Sequence, residues 1–238
     1  MAQKRVAIVQ SSYIPWKGYF DLIRSVDEFI LLDTVQFSKG SWRNRNRIKT
    51  KDGVAWLSIP VRTSGRLLQT IEDTVVSDPG WAARHWQNIR DAYRRAPFFE
   101  RYAEPFEAMY RSLRSDRLSH INRALTELAC GALGIATRIS WASDYHMGDG
   151  RMQRLIDLCQ QAGATEYLSG PSARGYIDEA LFTEAGIDLY FADYSGYPEY
   201  PQPYPPFEHA VSVLDLLFCT GPQALSFMKD VCAVRSPA

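Results

Sequence analysis

The sequence predicts an α/β fold: a mainly parallel sheet flanked by helices, with a β-hairpin and a helical segment set into it. Three features predict it. The chain opens with residues 6–9, V-A-I-V, an apolar run of strand length. A Pro-Trp-Lys-Gly loop, a helical stretch at 19–24 and a second apolar run at 29–32 follow. Apolar runs and helical stretches alternate again over 137–191, and between the two regions lies 81–133, which has little β character. Such alternation favours parallel strands joined by helical crossovers.

The elements follow in order. After Gln36 the chain reads S-K-G-S-W-R-N-R-N-R-I-K-T-K-D-G, and Lys51-Asp52-Gly53 is a turn signal between strand-like runs at 47–50 and 55–61. Ser77-Asp78-Pro79-Gly80 breaks the chain before about three helices, marked by apolar residues at helical intervals. Residues 137–141 read as a strand, 151–162 as an amphipathic helix closed by Gly163, and Tyr167-Leu168 as a brief strand. A helix at 176–185 and a strand at 187–191 come next. The segment Y-P-E-Y-P-Q-P-Y-P-P-F is extended and stiff by composition. Helical segments at 210–218 and 222–231 close the chain. The organisation expected is one α/β domain over 1–238, a helical insertion at 81–135, and a Pro/Tyr-rich segment with C-terminal helices at 196–238.

Bulk properties narrow the function. The 27 basic side chains balance 27 acidic ones, so nothing global points to a nucleic-acid partner. No apolar run reaches membrane-spanning length, and the N-terminal apolar run is too short for a signal peptide. Cys130, Cys159, Cys219 and Cys232 are scattered, as expected of reduced thiols in a cytoplasmic protein. His85, His120, His146 and His209 form no ligand spacing, so no metal site is expected. Neither a nucleophile elbow, a P-loop nor a G-x-G-x-x-G run occurs.

Chemistry gathers where strands end. Gln10 and Ser11 follow the first apolar run; Asp33 and Gln36 follow the second. Ligands of open α/β sheets bind at that edge. Trp16, Gly18 and Tyr19 stand where strand hands over to helix: Gly18 permits close approach, or is a structural glycine, and the helix N-terminus suits an anion. Ser169, Gly170, Pro171, Ser172 and Arg174 make a second such junction, an oxyanion cradle or else a simple cap with a surface charge. Arg43, Asn44, Arg45, Asn46 and Arg47, with Lys49, read as poor strand or helix material: a solvated loop, or a mobile clamp on phosphate or carboxylate. Asp33 and Gln36 are placed to orient a substrate amine or hydroxyl, or the strand-end Asp is simply a cap for the following turn. Asp193 and Tyr194 end the last strand-like run in the same manner.

The blocks Q-S-S-Y-I-P-W-K-G-Y-F-D-L-I, D-T-V-Q-F, R-N-R-N-R-I-K-T, W-L-S-I-P-V, Y-L-S-G-P-S-A-R-G-Y-I and F-E-H-A-V-S-V-L-D-L-L-F resemble, in order and across nearly the whole chain, the WbqC-like protein family. That resemblance implies a role in bacterial surface-polysaccharide (O-antigen, lipopolysaccharide) synthesis, as a glycine or aminoacyl transferase acting on amino sugars. A motif-level resemblance adds a mechanism. Trp16-Lys17-Gly18-Tyr19 has the spacing of the H-x-G-H signature of nucleotidylyltransferase-like (HUP) enzymes, pantothenate synthetase among them, with Trp16 and Tyr19 at its histidine positions. The run from Ser169 to Arg174 is similar to their second, serine-rich signature. It implies a Rossmann-like sheet, ATP (with Mg2+) as cofactor, and a carboxylate activated as its adenylate.

On that reading Gln10, Ser11, Trp16, Gly18, Tyr19, Ser169, Gly170 and Ser172 hold the nucleotide. Arg174, Lys49 and Asp33 are the catalytic set, Lys49 or an arginine of the basic run closing over the phosphates. Gln36, Arg43, Asn44, Arg45, Asn46, Asp193 and Tyr194 contact substrate. The partners expected are an amino acid or acyl donor, a nucleotide-linked amino sugar, and a second copy or pathway protein. The alternatives are a non-catalytic nucleotide-sugar binding protein and a transferase using acyl-CoA.

Overall fold

The computed structural model describes residues 3–231. Five strands form one parallel sheet: β1 (Arg5–Val9), β2 (Glu28–Leu31), β5 (Arg138–Trp141), β6 (Glu166–Ser169) and β7 (Asp188–Phe191), in the spatial order β5-β2-β1-β6-β7. Their registers pair Val6 with Glu28, Arg5 with Glu166, Phe29 with Ile139 and Tyr167 with Leu189. Strands buried on both faces read as unbroken apolar runs, which is why β1 and β2 were visible in sequence. The chain winds outward from β1 in one direction, then returns to its other side at β6. That reversal puts the topological switch point between the carboxyl ends of β1 and β6.

Helices cover both faces. Alternate strand residues Val6, Ile8, Ile30, Tyr167, Leu189 and Phe191 pack with α5 (Arg151–Gln161) and α6 (Glu179–Glu184) through Leu155, Leu158 and Phe182. Ala7, Phe29, Leu31 and Leu168 face α1 (Lys17–Arg24) and belong to a second apolar cluster. That cluster runs on through α2 (Trp81–Tyr93), α3 (Phe99–Ser112), α4 (Leu118–Leu133) and α7 (Val213–Thr220). The three inserted helices and the hairpin β3 (Arg45–Thr50) with β4 (Gly53–Ser58) all lie between β2 and β5.

Two expectations are corrected. The basic run is not a solvated loop: Arg43 and Asn44 stand in a turn, and from Arg45 it is strand β3, paired throughout with β4. Its period is two, with Asn44, Asn46 and Ile48 buried and Arg43, Arg45 and Arg47 partly exposed. Two of the buried positions, Asn44 and Asn46, are polar, so a search for alternating apolar residues passes over it. Second, the chain after β6 makes a 3-10 turn (Pro171–Gly175), and α6 begins only at Glu179. There Asp178 caps the helix, its carboxylate accepting from Ala180 N at 3.1 Å. Ser169 to Arg174 therefore does not open onto a helix N-terminus.

The Pro/Tyr-rich segment packs on its own chain. Tyr197 donates to Asp21 Oδ2 at 2.6 Å, and Tyr200 donates to Asp215 Oδ1 at 2.7 Å. Between them Lys17 Nζ donates to Pro198 O at 3.1 Å and lies over both tyrosine rings. Burial pulls the Lys17 ammonium down to about 8, against the pull of Asp21 and Asp215. Cys130, Cys159 and Cys219 are free and buried; Cys232 lies outside the described residues. Among the described residues no helix is long and apolar enough to cross a membrane.

Candidate functional site

A cleft of about 750 Å3 opens at the switch point. Its floor is the ends of β1 and β6, with Val9, Gln10, Ser169 and Gly170. One wall is the entry to α1, with Trp16 and Tyr19; the other is the 3-10 turn after β6, with Ser172 and Tyr176. Three arginines line it, Arg43, Arg151 and Arg154, and no aspartate or glutamate does. None of the three makes an ion pair among the described residues. In a chain of zero net charge the cleft is thus a local concentration of positive potential.

Arg43 is the innermost of them. It donates to Gln10 Oε1 at 2.5 Å, while its Nε is buried without a hydrogen-bond partner. Burial lowers its pKa, against the opposing influence of Tyr19 and Asp33. Asp33 lies behind it, 1 % exposed and not itself lining the cleft. Its Oδ1 accepts from Ser11 N at 2.8 Å and its Oδ2 has no hydrogen-bond partner. Burial raises the Asp33 pKa, held back by Ser11 and Arg43. Asn122 of α4 ties the layer together, donating to Ser11 Oγ at 3.0 Å and to Arg43 O at 2.9 Å. Neither Asp33 nor Ser11 lines the cleft: Asp33 is joined to the end of β1 through Ser11 N, and its charge is felt at Arg43.

Trp16 ends the loop into α1 and meets Tyr194 edge to face at 5.3 Å between ring centres. Gly18 leaves room for it: a Cβ there would lie 2.3 Å from Trp16 Cζ2. Tyr19 donates to Gln10 O at 3.2 Å. Opposite, Arg151 lies 4.5 Å from the ring centre of Tyr176, which is half exposed. Gln36 sits at the rim and donates to Leu67 O at 2.7 Å.

The cleft gathers Gln10, Trp16, Tyr19, Gln36, Arg43, Ser169, Gly170, Ser172 and Tyr194. The other candidates stand apart. Arg174 is exposed, its guanidinium 4.5 Å over the Phe191 ring, outside the cleft lining. Lys49 is 2 % exposed; its Nζ donates to Pro206 O and its backbone N–H to the Tyr93 hydroxyl at 2.9 Å. Arg45 covers the Trp56 ring at 4.2 Å. Asn44 donates to Ile59 O at 2.9 Å and Asn46 to the carbonyls of Tyr13 and Ile14. Asp193 is exposed and caps its own turn through Ser195 N at 2.9 Å.

Arg151 and Arg154 escaped the sequence reading, though a signal was there. They occupy the first turn of α5, which carries no acidic residue. Cations at a helix N-terminus oppose the dipole, which makes the pair unusual at that place. Gly150, with φ 91°, turns the chain into that helix beside the cleft.

Fold and site together define a Rossmann-like α/β protein with a cationic cleft at its switch point. The chain is a member of the WbqC-like protein family, whose model matches residues 10–227. It is 48% identical over 226 residues to the uncharacterized protein Rv1507c of Mycobacterium tuberculosis (strain ATCC 25618 / H37Rv), covering 95% of this chain and 98% of that one. No solved structure matches.

Proposed function

We propose that this protein is an acyl or aminoacyl transferase that binds a nucleotide in the switch-point cleft and acylates the amine of a nucleotide-linked amino sugar. One observation carries the reading: three arginines, flanked by the flat side chains of Trp16, Tyr176 and Tyr194, line the cleft with no carboxylate among them. Phosphate oxygens suit forked guanidinium donors, and rings of this kind suit a nucleobase.

The adenylate route matches what these side chains can do. A carboxylate oxygen of the donor attacks the α-phosphorus of ATP; the bond to the bridging oxygen breaks and pyrophosphate leaves with the electron pair. The acceptor amine then attacks the acyl carbon, the C–O bond to AMP breaks, and the ammonium proton passes to solvent. Neither step needs a protein nucleophile. Both move negative charge among phosphate oxygens, where fixed cations contribute most. The lining offers Mg2+ no carboxylate, so any Mg2+ would arrive on the nucleotide's own phosphates. The placement in surface-polysaccharide synthesis rests on the family resemblance.

The same lack of an acid or base in the cleft also suits an accessory protein that holds a nucleotide sugar for a partner enzyme. Pyrophosphate release separates the two. It should require ATP, a carboxylic acid and an amino sugar nucleotide together for full turnover. Tight sugar-nucleotide binding with no pyrophosphate from any donor would leave the accessory role.

A further inference from the structure

Beside the cleft lies a second cavity, of about 270 Å3, that shares Trp16, Tyr19 and Arg43 with it. Its remaining walls are Pro15, Trp42 and Ala210, with Ser12, a hydroxyl residue, at one point. Asn46 reaches it too, but its polar atoms are committed. Its Nδ2 donates to two carbonyls and its Oδ1 accepts from Arg47 N at 2.7 Å. The cavity is thus an apolar chamber next to a cationic one, with Arg43 at the boundary.

We propose that this chamber is the donor pocket, and that the donor is a carboxylic acid with a compact branched or aromatic hydrocarbon tail rather than glycine. The inference rests on the acyl-transfer reading above and names the substrate class. Arg43 has a buried Nε without a hydrogen-bond partner and lines both chambers. A carboxylate held there would have its tail among Trp16, Trp42 and Pro15 and its reacting oxygen toward the phosphates on Arg151 and Arg154. Glycine would leave apolar walls facing water, which costs affinity in proportion to the area left uncovered.

The test uses free acids, so that it does not depend on the nucleotide. 4-Methylvalerate and acetate are titrated into the protein by calorimetry, with the indole N–H resonances of Trp16 and Trp42 followed by NMR. The branched acid should bind at least about tenfold more tightly and shift both indoles. Ala210→Leu, which fills the chamber, should bring the two acids to within about twofold. Should that variant fail to fold, Trp42→Ala, at a position 45% exposed, removes a wall and should erase the preference equally. Equal affinities in the wild type, or a preference that survives both variants, overturn the proposal. AMP is titrated separately into the wild type: no binding there, with the acid preference intact, removes the nucleotide reading and leaves the pocket standing.

Discussion

Asn46 donates its side-chain amide to the carbonyl of Ile14 at 2.7 Å, and Ile14 stands at φ 34°. A buried β-branched residue in that region is strained, and such strain persists only where the surroundings hold it. The second amide bond of Asn46, to Tyr13 O at 3.0 Å, and the bond from Tyr13 N to Trp42 O complete the hold. This loop delivers Trp16 to the cleft. Asn46→Ala should therefore cost about 2–4 kcal/mol, the burden of two buried carbonyls losing their donor. For a chain of this size that is a fall in melting temperature of roughly 5–12 °C. Nucleotide affinity should fall with it. An unchanged melt and unchanged affinity would show that the hairpin does not hold the loop.

Gly18 and Trp16 make a second dependency. Gly18→Ala sits in α1, where alanine ordinarily stabilises, yet its Cβ would fall within 2.3 Å of the indole. The ring must leave its contacts with Tyr194 and Tyr197. The expected cost is about 1–3 kcal/mol. In a Trp16→Ala background the same change should become neutral or stabilising, because nothing remains to displace. Urea melts of the four proteins close the cycle, and equal costs in both backgrounds would refute the clash.

The charge in the cleft belongs to Arg43, Arg151 and Arg154, whereas Arg174 stacks on Phe191 outside it. Alanine at Arg151 or Arg154 should weaken ATP binding by roughly ten- to a hundredfold, the range for a charge-assisted hydrogen bond. Arg174→Ala should leave it within about twofold. Calorimetry at fixed ionic strength decides, and the reverse pattern would return the site to the turn after β6.

Much of the fold was legible because β1 and β2 are continuous apolar runs and α2–α4 carry apolar residues at helical spacing. The floor of the cleft was legible for a related reason: polar residues that directly follow a buried strand must stand at the sheet's edge. The basic run misled because Asn44 and Asn46 are buried for hydrogen bonds to distant carbonyls rather than for burial of apolar surface. Nothing local marks such partners, which lie 15, 33 and 32 residues away. Lys49 deceived in the same way. Its charge suggests solvent or phosphate, and only the fold brings Pro206 O and the Asp215 carboxylate near it.

His85 gives the stability a pH signature. It is 6% exposed, its Nδ1 is 2.8 Å from the Tyr13 hydroxyl, and that hydroxyl is 2.7 Å from Tyr110's. Burial pulls the imidazole down to about 4, against the raising influence of Ser58's backbone. In the unfolded chain the same group titrates near 6.5. Between those values the unfolded state binds the extra proton, so the contribution of His85 is complete above about pH 6.5 and is lost as pH falls toward 4. The loss over the whole window amounts to about 3 kcal/mol. The buried carboxylates Asp21, Asp33 and Asp215, with raised pKa values, act in the opposite direction over acid pH. The difference between wild type and His85→Gln isolates the histidine: the variant's melting temperature should fall less steeply from pH 7 to 4.5. Parallel curves would mean that His85 takes up its proton at the same pH in the folded and unfolded chains.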